Sequence, residues 1–198
     1  PNDREIFSME EMIEAFSLDR LSKSPAVFDA GKLRWMNGYY MRNLPLEKVF
    51  LYAKPFFRDA GFPDDDVWLK KIVSVYREHT STLKEMVNEA LPLISYSLSE
   101  GSELMENLRK EHVPRVLRSF IDTFSPHIGR DLNASDVWEL LKDLVKSLGL
   151  KTGKVLFPLR IALTGRRSGP ELYHFIELIG VEEAIRRARK TLDLLEGK

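Results

Sequence analysis

No cysteine occurs among the 198 residues of the chain, which excludes a disulfide framework and any zinc site built on thiolates. A reducing, cytoplasmic setting is the expectation that goes with this. No apolar run approaches the 18 residues that mark a membrane-spanning helix, so no membrane span is expected. The opening residues, PNDREIFSMEEM, hold neither a basic leader nor the apolar core of an export signal. Charge of one sign is not in surplus: 30 Lys and Arg balance 30 Asp and Glu, so composition alone names no polyanionic partner. Strict alternation of apolar and polar residues, the mark of a strand, is also missing. The four histidines, His79, His112, His127 and His174, are scattered without metal-ligand spacing. Together with the lack of any catalytic constellation, this argues against an independent enzyme.

Apolar residues make up 43% of the chain and recur at helical spacing almost throughout, so the expected fold is all-α. A first helix starts after Ser8, whose relation to Glu11 fits a capping box. A second covers KLRWMNGYYMRNL. A third covers LEKVFLYAKPFFRDAG, with Pro55 expected to kink or divide it. Long helical stretches are expected from Val67 to about Ile94 and from about Ser102 to Phe124, bent or interrupted by Pro92 and Pro114. Four short helices follow, with Gly149, Gly165 and Gly180 at their C-terminal caps.

Charge is unevenly distributed. Between Leu144 and Pro170 stand Lys146, Lys151, Lys154, Arg160, Arg166 and Arg167 without a single Asp or Glu. Such a patch is an electrostatic footprint for nucleic acid, or else a solvated face balanced by acids that the fold brings near.

Two short motifs test a catalytic reading. LSKS, Leu21 to Ser24, nearly copies one signature of class I aminoacyl-tRNA synthetases, and HIGR, His127 to Arg130, echoes the other. An adenylating site of that class needs a parallel α/β sheet and the opposite order of the two motifs. Both contexts fail here, so HIGR reads as a turn with Gly129 supplying its geometry.

The longer segment FSLDRLSKSPAVFDAGKLRWMNGYYMR nevertheless resembles a part of bacterial glutamyl-tRNA synthetases that lies after their true KMSKS loop. GKVLFPLRIALTGRRSGPELYHFIELIG is similar to the same family's C-terminal signature, in the family's order and at about its separation. The resemblance implies the C-terminal portion of such a synthetase: two consecutive helical bundles preceded by a short helical stem-contact segment. Its expected divisions are the end of the stem-contact region at 1–45 and two anticodon-binding subdomains at 46–128 and 129–198. It further implies a longer parent that activates glutamate with ATP and Mg²⁺ and charges tRNA(Glu), whereas this portion binds tRNA without catalysis, cofactor or metal. A monomer without DNA or membrane partners is expected. The competing reading is a helical protein-interaction module, which salt would affect far less than RNA binding.

Unpaired bases are read by stacking on aromatic or guanidinium planes and by hydrogen bonds along their edges. Arg160 is the leading candidate, because its planar fork can do both. Its alternative role is an ion pair with a neighbouring acid. Phe157 offers a stacking surface, and Gly169 lets backbone approach a base closely. The resemblance places anticodon reading on Arg160, Gly169, Pro170 and Leu172, and on Phe157, while helical periodicity equally allows Phe157 and Leu172 to be core.

Lys32 and Trp35, three apart on one helix face, would give a phosphate contact beside a planar surface, or Trp35 would anchor the core. The resemblance sets this segment against the tRNA stem, with Arg20 and Lys23 as further phosphate contacts. At the position aligned with His79, relatives that discriminate the third anticodon base commonly carry Arg. Histidine lacks the planar fork, so relaxed discrimination is expected, extending charging to tRNA(Gln). Arg77 is the alternative reader, and an exposed helix residue without a role is the plain alternative for His79.

Overall fold

The computed structural model describes residues 5–20, 27–98 and 103–197. Among them the chain forms eleven α-helices: α1 Met9–Ala15, α2 Ala30–Asn43, α3 Leu46–Asp59, α4 Asp66–Tyr76, α5 Leu83–Ala90, α6 Glu103–Leu108, α7 Val113–Phe124, α8 Ala134–Leu148, α9 Thr152–Thr164, α10 Leu172–Ile179 and α11 Val181–Glu196. No strand occurs among the described residues, and no helix there is long and apolar enough to cross a membrane.

Helix ends follow their local chemistry. The capping box expected at Ser8 is formed: Ser8 Oγ accepts from Glu11 N at 3.2 Å, and Ser8 N donates to Glu11 Oε2 at 2.7 Å. A second box starts α8, where Asn133 Oδ1 accepts from Ser135 N and Asp136 N at 2.8 and 3.1 Å. Asn133→Ala should lower the unfolding free energy by about 1 kcal/mol in a denaturant melt, the usual loss for an N-cap. Gly149 and Gly165 close α8 and α9 in the left-handed conformation, whereas Gly180 after α10 has φ 79° and ψ 158°, a positive-φ conformation outside the left-handed helical region.

Three helical expectations change in detail. Pro55 neither ends nor divides α3, which runs on to Asp59. Its ring withholds a donor from the Leu51 carbonyl, but Leu51 is 66% exposed, on the side of α3 away from the core. The stretch from Val67 to Ile94 is two helices. Thr80 Oγ1 donates to Tyr76 O at 2.9 Å at the end of α4, and Thr82 Oγ1 caps Glu85 N at 3.1 Å to restart the chain as α5. The stretch from Ser102 to Phe124 is likewise divided, with Pro114 in the first turn of α7, where a missing N–H costs nothing.

Packing follows the apolar stripes. α3 buries Val49, Phe50, Ala53 and Phe57, and these face α4 and α5. α7 buries Val113, Val116, Leu117, Phe120 and Phe124, a one-sided stripe that lies mainly on α11 and also on α8 and α9. Thus α7 precedes the boundary expected at residue 128, yet the helices it packs on most, α11, α8 and α9, lie beyond it. The two ends of the molecule are tied together through α10, which packs on both α8 and α4. Trp68 Nε1 of α4 donates to Leu178 O at 2.8 Å.

One buried charge organises this junction. Arg187 of α11 is 2% exposed. Its guanidinium donates to Pro92 O at 2.8 Å, Leu163 O at 2.9 Å, Leu93 O at 3.4 Å and Glu183 Oε1 at 2.7 Å. It lies 4.8 Å from the centre of the Tyr96 ring and 5.7 Å from that of Phe175. The three carbonyl bonds satisfy acceptors on buried residues, and together they fix the segment after α5 to α9 and α11.

Candidate nucleic-acid interface

α9 and the turn that follows it carry most of the sequence-derived candidates. GKVLFPLRIALT forms α9 through Pro158, which is buried within it. Periodicity turns Val155, Leu159, Ile161, Ala162 and Leu163 into the core, leaving Phe157 and Arg160 partly exposed on another side. After Gly165 the chain turns through Arg166 to Glu171 and enters α10.

Arg160 is half-buried, and among the described residues no carboxylate lies within ion-pair distance of it. Burial pushes its guanidinium below the usual arginine value, while the nearby charge of Glu171 and the Tyr76 phenol oppose the shift. Both groups lie close enough to act through space without bonding. The alternative of an ion-paired Arg160 is therefore not what the fold contains. Gly169 has φ +140°, and a Cβ built there would sit 3.5 Å from Arg160 Nη1. A side chain at Gly169 would be strained in backbone, although its Cβ would meet the guanidinium only at ordinary contact distance.

Two cavities meet along this turn. One, of about 400 Å³, is walled by Trp138, Phe157, Arg160, Glu171, Leu172 and Tyr173. The Trp138 and Tyr173 rings lie 5.6 Å apart at 53°, giving aromatic faces opposite a guanidinium. The other, of about 250 Å³, is lined by Tyr76, His79, Thr80, Glu89, Gly169 and Pro170. His79 Nε2 stands 3.5 Å from Glu171 Oε2, and both side chains are about half exposed. The tie holding the two sides in place is Arg166, which donates to Asn88 O at 2.7 Å and pairs with Glu89 at 3.2 Å.

Hence His79, Phe157, Arg160, Gly169, Pro170 and Leu172 are brought to one surface, although His79 is eighty-odd residues away along the chain. Pro170 is buried, and Leu172 is 4% exposed while still forming part of the cavity wall. Arg77, the alternative to His79, points elsewhere and donates to Leu44 O at 3.0 Å.

The stem-contact candidates form a separate group on α2. Trp35 is 50% exposed, so it is not a core anchor. Lys32 pairs with Glu5 at 2.7 Å, and a hydrogen bond and charge from Glu5 raise its pKa above the usual lysine value. α2 is held near the His79 turn by Asn37 Nδ2, which donates to Ser81 O at 2.8 Å, and by an ion pair between Arg34 and Glu85. Arg20 falls in the 3₁₀ turn Leu18–Arg20, and Lys23 lies outside the described residues.

Sequence reasoning missed Glu171, Tyr76, Trp138 and Tyr173. Glu171 was visible as the first acid after a long basic stretch. Tyr76 and Trp138 gave no signal, because only the tertiary fold brings α4 and α8 to the turn after α9.

The geometry thus joins a half-buried arginine, aromatic walls and a glycine turn, a combination suited to unpaired bases. A family described as "Anticodon binding domain" matches residues 48–192, and the chain belongs to that family. More particularly, it is 40% identical over 194 residues to the glutamate–tRNA ligase of Carboxydothermus hydrogenoformans, covering 93% of this chain and 39% of that relative. It is 35% identical to the ligase of Bacillus subtilis, covering 94% and 40% respectively. A solved glutamate tRNA ligase from Elizabethkingia meningosepticum superposes with a TM-score of 0.86 at 27% identity, over 98% of this chain and 38% of that one. The chain thus spans about two-fifths of the length of these relatives and corresponds to their C-terminal part.

Proposed function

We propose that this chain is the tRNA-reading part of a glutamate–tRNA ligase and that the two cavities flanking Gly169 receive unpaired anticodon bases. The observation that carries this reading is Arg160, whose fork is half-buried beside aromatic walls and, among the described residues, engaged by no carboxylate within bonding distance. Its donors are available to base acceptors without first breaking an ion pair. The whole ligase would activate glutamate with ATP and Mg²⁺ and charge tRNA(Glu). Those groups would be held outside the residues of this chain, which should have no aminoacylation activity alone. Among the described residues no group of three or more His, Asp or Glu is placed to hold a metal ion.

The chain divides functionally into a stem-contact segment ending near residue 45 and two helical units. Packing supports a division between α5 and α6 rather than at residue 128, since α6 rests on α9 and α7 on α11. Base reading then falls at the junction, with His79 from one unit and Arg160 from the other. Lys32 and Trp35 would meet the tRNA stem from α2, with Arg20 and Lys23 as further candidates for phosphate contacts.

His79 sets selectivity at the third anticodon base, cytosine in tRNA(Glu) and guanine in tRNA(Gln). Its ring, 3.5 Å from the Glu171 carboxylate, cannot present the bidentate fork of an arginine, so both transcripts should bind. The experiment is binding to unmodified transcripts carrying each anticodon, compared with His79→Arg. The variant should raise the preference for the glutamate transcript about tenfold, within the range of one bidentate base contact. A wild-type chain that already excludes the glutamine transcript would sink the relaxed reading while leaving the tRNA-binding role intact.

A further inference from the structure

A third cavity, of about 340 Å³, opens beside the base-binding cavity between the α6–α7 turn and the start of α9. Its wall holds Asn107, Lys110, His112 and Lys154, with Phe157 and Pro158 beneath. Phe157 and Gly153 belong to the walls of both cavities, so the two are neighbouring parts of one groove. The space at Gly153 is open, since a Cβ added there would meet nothing within 4 Å.

The two parts differ in chemistry. Aromatic rings and Arg160 line the first, whereas the second is basic. No carboxylate is among the residues that wall it, and the first turn of α9 contains no acid. Among the described residues Lys110 Nζ donates only to the neutral Asn107 Oδ1, at 3.2 Å. Neither Lys110 nor Lys154 is in an ion pair among the described residues, in contrast to Lys142, held by Glu139 at 2.7 Å. Two uncompensated ammonium groups therefore flank a cleft that is contiguous with a base-sized aromatic pocket.

In a single RNA strand each base is separated from its phosphate by one sugar. A base stacked on Phe157 thus keeps its phosphodiester only a sugar away, and the second cavity shares Phe157 with the first. We propose that the Lys110–Lys154 cleft holds the phosphodiester backbone of the strand whose bases enter the Arg160 cavity. The inference rests on the anticodon reading proposed above, and adds a backbone-binding site contributed by the α6–α7 turn. A charged groove alongside aromatic platforms is the general solution for binding single strands, and a phosphate contact positions the strand without selecting a base.

The test is a salt series on the 198-residue chain with the glutamate-anticodon transcript and one whose three anticodon bases are replaced. Wild type, Lys110→Met/Lys154→Met and the control Lys142→Met are compared. Both target lysines are exposed, and thermal melts confirm that the double variant remains folded. It should weaken both transcripts by a similar factor and reduce the slope of log K against log salt by about 1.4, two contacts at about 0.7 each. The control should keep the wild-type slope. An unchanged slope in the double variant, with anticodon dependence retained by wild type, overturns the backbone site alone. Equal binding of the two transcripts by wild type overturns base reading and the assignment built on it.

Discussion

Arg187→Ala should lower the unfolding free energy by about 3–5 kcal/mol, the range for removing one partner of a buried ion pair. The cause is the set of groups left behind: the carbonyls of Pro92, Leu93 and Leu163 lose their donor, and Glu183 keeps only Arg186. Urea melts at neutral pH measure the loss, and a change below about 1 kcal/mol would show that water replaces the guanidinium freely. The pH dependence has a definite sign. Hydrogen bonds from Arg186 and then Arg187 hold the Glu183 carboxyl below its ordinary 4.5, against a burial effect that raises it. A depressed folded value means that this stabilisation is complete above about pH 4.5 and disappears as the pH falls through the lower folded value. The variant should therefore lose less stability than wild type over that acid range.

Arg160→Ala should abolish most of the preference for a matched anticodon, weakening the matched transcript by about tenfold or more, on the order of 1–3 kcal/mol. Because among the described residues no carboxylate lies within ion-pair distance of the guanidinium, stability should change little in parallel melts. Arg160→Lys is the sharper comparison. It restores charge but not a planar fork, so it should recover the salt dependence without recovering anticodon preference. Full recovery by lysine would reduce Arg160 to a phosphate contact.

Local patterns carried most of the secondary structure. Ser8 followed by Glu11 announced a capped helix, and Gly149 and Gly165 announced where two others stop. The α4–α5 break was also written locally, as Thr82 followed three residues later by Glu85, but continuous apolar periodicity across the region concealed it. Pro55 misled in the other direction, because its consequence depends on whether the orphaned carbonyl faces water, a tertiary property. For the interface, Arg160 and Gly169 were readable from their types and setting. Glu171 beside His79, or Tyr76 beneath Arg160, required knowing that α4 and the turn after α9 share a junction. Long-range electrostatics of this kind leave no periodic trace in a sequence.

The three tryptophans of the chain are distributed so that each reports on a different event. Trp35 lies on the exposed face of α2, Trp138 stands beside the base cavity, and Trp68 donates its indole proton across the junction to Leu178 O. Indole emission depends on solvent access and on what stacks against the ring. Two single-tryptophan variants, each keeping either Trp138 or Trp68, would therefore separate ligand docking from parting of the two halves by fluorescence alone, with no attached dye.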